Sequence, residues 1–170
     1  MAITVIVEDG SQVVGANSYR SIANITEWVL TNPHDSTWTT LTETQQKGYA
    51  IMSCRILNEQ MDWDGWVIDA DQALDLPRSG MVNRKGRSID NDEIPSEVQD
   101  AQSELARLLA IGDRTGDADT AGFSEIEVGS IKLVMDKTDR APILPDSVLN
   151  MVKALGTKAI SKGTSRTIRA

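Results

Sequence analysis

Two helical periodicities separated by a long aperiodic stretch are the feature that most constrains this chain. The first opens at Thr42-Glu43-Thr44-Gln45, a capping box in which Thr42 and Gln45 each satisfy a free backbone N–H. It runs to about Gln60, apolar over a wide arc through Tyr49, Ala50, Cys54, Ile56, Leu57 and Met61. The second has Pro95 at its first position and Glu97 in its first turn, both favourable there. Val98, Ala101, Leu105 and Leu108 then recur at i, i+3, i+7 and i+10, an amphipathic stripe that Gly112 ends. Two such helices bury their stripes only against other helices, so the fold expected is mainly α.

The remaining segments complete a bundle of about four helices with one β-hairpin and an extended N-terminal arm. Ile3, Val5 and Val7 alternate with Thr4 and Ile6, which predicts an opening strand. Ser21 can cap a helix over 22–31, where Ile22, Ile25 and Val29 share a face, and Pro33 stops it. Residues 33–41 read as a loop carrying Trp38. Residues 62–95 are 34 residues punctuated by Gly65, Pro77, Gly80 and Gly86 before the closing Pro95. They predict a helical turn around Asp71–Leu74 and a tight reversal at Arg84–Arg87, with Gly86 at positive φ. The stretch 113–122 reads as an acidic loop, and 124–136 alternates around Gly129 as a hairpin. Asp146 can cap a last helix whose Leu149, Val152 and Leu155 face one way. Residues 1–156 are therefore expected as one helical domain, with 157–170 a basic tail ordered only on docking.

Chemistry is sparsely represented. Cys54 is the only cysteine and His34 the only histidine. The first sits on an apolar helix face and the second in a loop, so no Cys–His pair, disulfide or thiolate metal cluster is available. The acids Asp62, Asp64, Asp69, Asp71 and Asp75 are dense, but a calcium loop counted from Asp62 needs glycine where Val67 stands. Phosphate-binding, dinucleotide-binding, zinc-protease and nucleophile-elbow motifs are all missing. The expectation is a protein that is not an enzyme and uses no cofactor or metal. No apolar run approaches the roughly 20 residues of a membrane span, and the first residues lack the basic start of a signal peptide. A cytoplasmic site of assembly follows as an expectation.

Charge separates along the chain. Residues 1–146 hold 12 Lys+Arg against 25 Asp+Glu, a balance of −13, and residues 147–170 hold five bases and no acid, which together give the net −8. The tail bases Lys158, Lys162, Arg166 and Arg169 are candidate partner contacts, and Arg78, Arg84, Lys85 and Arg87 form a basic cluster in the body. That loop is a candidate for touching DNA or an acidic partner. Trp28, Trp38, Trp63 and Trp66 could stack on bases, but two of them stand among carboxylates, which favours packing or an interface.

Several blocks together resemble a known family. They are the Glu8-Asp9-Gly10 and Gly15–Tyr19 stretches, Gln72-Ala73-Leu74, Pro77-Arg78-Ser79-Gly80, Gly86-Arg87, Ile94-Pro95 and the Ala101–Ala106 helix. With the hairpin and the late Leu144-Pro145 helix, these span about 150 residues in order. The chain resembles the "DnaT-like" phage proteins, which overlap in fold with head–tail connector adaptors; Leu76 stands where that pattern has tryptophan. The resemblance implies a virion structural protein at the neck, a ring of about twelve copies beneath the portal protein. Such a ring would extend the channel for packaged double-stranded DNA and carry a tail or head-completion protein. The same label implies an alternative, single-stranded DNA binding during replication. An acidic body suits a channel wall, and the sequence shows no basic groove with interleaved aromatics, so the connector is the expectation carried forward.

Overall fold

A computed structural model of the protein describes residues 3–33, 37–116, 125–128, 131–134 and 142–159. Its five helices are α1 (Ile22–Leu30), α2 (Thr37–Thr40), α3 (Glu43–Gln60), α4 (Ser96–Ile111) and α5 (Asp146–Val152). Six short strands, β1 (Met61–Trp63), β2 (Trp66–Val67), β3 (Arg78–Ser79), β4 (Glu125–Val128), β5 (Ile131–Val134) and β6 (Gly156–Lys158), pair two by two. The pairs β1–β6, β2–β3 and β4–β5 are all antiparallel. The protein is thus largely helical with small sheets. No described helix is long and apolar enough to cross a membrane.

Helix α4 is the hub, packed against α3, α5 and α1. Val98, Ala101 and Leu105 are fully buried, and Leu109 extends the stripe that they begin. The main core joins them to Cys54, Leu57, Val148 and Leu155, and a smaller one gathers Ile25, Val29, Trp38, Ala50 and Ala106. A polar bolt crosses the main packing. The buried Gln102 accepts from the Tyr19 N–H at 2.8 Å and donates to Ser18 Oγ at 2.6 Å and the Ala50 carbonyl at 2.9 Å. One amide therefore ties the N-terminal arm, α3 and α4 together, with its polar atoms satisfied inside the core.

The capping box at Thr42 and Gln45, the Ser21 cap, the positive φ of Gly86 and the β4–β5 hairpin are all present. Other expectations need correction. Trp38 lies in α2, not in a loop; its ring is buried and Nε1 donates to Thr26 Oγ1 at 2.9 Å. The arm 3–8 forms only a single bridge, Val7 with Ser18, because Asn17 takes up the backbone of Ile6 at both its N–H and its carbonyl. No helical turn forms at Asp71–Leu74. The Gln72 side chain holds that segment instead, accepting from the Ile68 N–H and donating to the Leu74 and Pro77 carbonyls. Pro95 and Pro145 stand at the cap positions with extended ψ, so α4 begins one residue later than expected and α5 one residue earlier. Asp146 is thus the first helical residue, where its charge still suits the dipole.

The chain continues past Gly156 in strand β6. Gly156 and Thr157 face Trp63 and Asp62, Lys158 faces Met61, and the Ala159 N–H donates to the Gln60 carbonyl at 2.8 Å. Gly156 is a close crossing, since a Cβ there would come within 2.6 Å of the Asp62 carbonyl oxygen. His34, residues 117–122 of the acidic loop, and the tail bases Lys162, Arg166 and Arg169 lie outside the described residues.

Candidate nucleic-acid interface

The reversal after β3 is a rigid display of charge. The Asn83 N–H donates to the Arg87 carbonyl, and the Asn83 side-chain oxygen accepts from the Lys85 and Arg87 N–H groups, each at 3.0 Å. Gly86, at φ +75°, closes the turn. Arg84, Lys85 and Arg87 are all exposed on it. Arg84 is further steadied by donating to the Asn150 carbonyl at 2.8 Å. A guanidinium carries five donors, so one such bond does not exhaust it.

This loop forms one lip of a cleft of about 550 Å³. Trp28 lines the cleft together with Arg84 and Lys85 and the carboxylates Glu93, Glu97 and Asp100. The Arg20 guanidinium sits 5.7 Å from the Trp28 ring centroid, a cation–π distance, and donates to Asp100. The Asp100 charge is thereby offset. An aromatic ring, a basic lip and two further carboxylates suit a nucleotide. The ring can meet the base, the lip a phosphate, and a carboxylate can accept from an exocyclic amine.

A second aromatic adjoins the same loop. Trp66 is 73% exposed, an unusual state for so large an apolar side chain. One side of its ring rests against Gly80, where an added Cβ would fall 2.6 Å from Cζ3. Gly80 also has φ +80°, so the position demands glycine twice over. Arg78, paired with Val67 across β2–β3, donates to the Gly65 carbonyl at 3.0 Å. Burial raises the neighbouring Asp75 carboxyl above its usual range, and the Arg78 charge opposes that rise.

The structure therefore divides the four-residue basic cluster. Arg78 goes with Trp66, and Arg84 and Lys85 go with Trp28. Gly80 and Arg84 are four residues apart, a reach of at most about 14 Å. Trp66 thus rests on a residue close in the chain to the basic turn, and Trp28 lies in the cleft that the turn helps to line. Two tryptophans belong to the core instead, Trp38 and Trp63. Sequence reasoning missed Trp28, Arg20 and Glu93 as partners of the basic turn. The available signal was Trp28 itself, set on the flank of the Ile22–Ile25–Val29 face.

Cys54 takes no part. It is fully buried, and burial pushes its thiol up to about 12. At pH 8 its thiolate fraction is then about a thousandfold below that of an ordinary thiol. Alkylation by a small haloacetamide should be correspondingly slow in the folded chain and fast in denaturant. Rapid single labelling of the native protein would contradict that assignment. The sign for stability follows too. The thiol is neutral in both states below about pH 9, and its contribution is lost as pH rises from there towards 12.

Residues 3–170 match the family model described as "Putative DnaT-like ssDNA binding protein". No curated protein and no solved structure matches the chain. The family match overturns the expected head–tail connector, and with it the ring beneath a portal, the tail or head-completion partner and the passing duplex. It supports the alternative, single-stranded DNA. Charge averaged along the sequence misled here, because the fold sets Arg84 and Lys85 of an acidic chain in a cleft that also holds an indole.

Proposed function

The chain belongs to the DnaT-like family, and from that premise we propose that it holds single-stranded DNA along the track from Trp66 through the basic turn to Trp28. The carrying observation is the cleft that Trp28 lines together with Arg84 and Lys85, with the Arg20 guanidinium at cation–π distance from the Trp28 ring. Bases stack at the two indoles, and phosphates lie on Arg84, Lys85 and Arg87. The protein binds the strand and does no chemistry on it.

The charge pattern sets the character of this binding. Exposed Asp62, Asp64, Asp69 and Asp71 precede and follow Trp66, so the backbone is held only on the side of the basic turn. A net charge of −8 gives no long-range steering towards DNA. Stacking, which is insensitive to salt, then supplies most of the affinity. With about three phosphates neutralised, log K should fall with log salt at a slope near −2.

Fluorescence titration with an oligonucleotide of about 20 bases, at about 50 and 200 mM salt, measures that slope. Replacing Arg84, Lys85 and Arg87 together by alanine should flatten it and weaken binding similarly for all sequences. Absence of binding at the lower salt would overturn the reading. Equal affinity for duplex and single strand would refute the stacking part of it.

A further inference from the structure

We infer, on the premise that the cleft at Trp28 holds single-stranded DNA, that it selects guanine and that Glu97 makes the selection. At about 550 Å³ the cleft is in the size range of sites for single small molecules, which suits one nucleotide beside the indole.

Three observations point to Glu97. The first is the state of its charge. Of the carboxylates that line the cleft, Asp100 is committed to Arg20. Glu93 and Glu97 have no cation partner among the described residues. The second is burial. Glu93 is exposed, whereas Glu97 is half-buried, so a ligand that covers Glu97 must replace the water it still holds. The third is restraint. Glu97 stands on α4, about 4.5 Å along the axis from Asp100 and on the same face. The Ser96 hydroxyl donates to its Oε2 at 3.3 Å. Asp100 in turn holds the guanidinium of Arg20 at the Trp28 ring. Arg20 itself does not line the cleft, so the indole surface that does is left for a base.

The chemistry of the base edges then decides. A carboxylate offers acceptors only. Guanine alone presents two adjacent donors on one edge, N1–H and the N2 amine, and can donate both to one carboxylate as a guanidinium does. Adenine and cytosine each offer one amine beside a ring nitrogen that is itself an acceptor and would oppose the second carboxylate oxygen. Thymine offers one N–H between two carbonyls. When any of these three stacks on Trp28, Glu97 is covered without being satisfied, and that penalty supplies much of the discrimination. The phosphates stay on the basic turn, so affinity and selection rest on different residues.

Anisotropy titration of labelled thymidine oligonucleotides of about 20 bases, with guanine, adenine, cytosine or hypoxanthine interspersed, tests the assignment. Interspersed guanine should tighten binding about tenfold over thymidine alone, the lower part of what a bidentate contact gives, because Glu97 is only half-buried. Hypoxanthine keeps N1–H but lacks the N2 amine, and should fall between guanine and thymine. Glu97→Gln should cut the guanine preference below about twofold without weakening the binding of oligothymidine. Glu93→Gln should leave the preference intact. Neither side chain belongs to the core, so both variants keep the fold. Equal binding of all sequences, a preference for another base, or a guanine preference that survives Glu97→Gln would overturn the selection while single-strand binding stands. If no sequence binds, the premise itself falls and the guanine site with it.

Discussion

Leu105→Ala is expected to destabilise the protein by roughly 2–5 kcal/mol. Leu105 is fully buried at the middle of α4, in the main core formed with α3 and α5. Loss of its side chain removes apolar transfer energy and leaves a void between helices that can collapse only in part. The upper half of the range fits this site, because α4 is held from several sides and its neighbour Gln102 is bonded to the arm and to α3. A shift of α4 to fill the void would strain those bonds. Urea unfolding should therefore show a lower midpoint with an unchanged slope. A loss under about 0.5 kcal/mol would mean that the α4 stripe does not form the core.

What the sequence revealed, and what it hid, follows from the range over which each signal acts. The stripe of α4 and the capping box of α3 are local patterns, repeated at helical spacing, and both appear in the structure. The reversal at Asn83–Arg87 was legible for the same reason, since its hydrogen bonds close within five residues. Strands β2 and β3 have two residues each and β1 and β6 have three, too few for any alternation to register. Their pairing depends on long-range contact, as does the placement of Trp38 over Thr26. Gly156 shows how a local rule can mislead. A glycine after an amphipathic run reads as a helix stop, but here it makes room for β6 against β1.

The candidate interface was half legible. Arg78, Arg84, Lys85 and Arg87 were found by composition alone. Their aromatic partners were not, because Trp28 precedes Arg84 by more than fifty residues and reaches it only through the packing of α1 on α4. Net charge was the stronger signal in the sequence and pointed the wrong way. It describes the field at a distance, whereas base stacking and bidentate phosphate contacts act within a few ångströms. An acidic chain can therefore bind a strand locally while repelling it at long range, and slow association is the expected consequence.

Replacing both surface tryptophans is expected to have the largest effect on DNA binding. Base–aromatic stacking contributes about 1–3 kcal/mol per base, so Trp28→Leu and Trp66→Leu should each weaken binding roughly 5- to 150-fold. Leucine is the better substitution at 28, because it keeps an apolar side chain there while removing the ring that meets the Arg20 guanidinium. If one strand engages both indoles, the two losses multiply for an oligonucleotide of about 20 bases, since the second contact is made at high effective concentration. A dinucleotide of about two bases cannot profit from that linkage, so for it the double variant should lose little more than the worse single variant. Length dependence thus separates one continuous track from two unconnected surfaces. The basic turn supplies the internal control, because its alanine variants change the salt slope and the tryptophan variants should not. If Trp66→Leu weakens binding and Trp28→Leu changes it less than twofold, the cleft is not part of the site. If both are without effect, the strand lies elsewhere on the protein, and the exposed indole over Gly80 serves another partner.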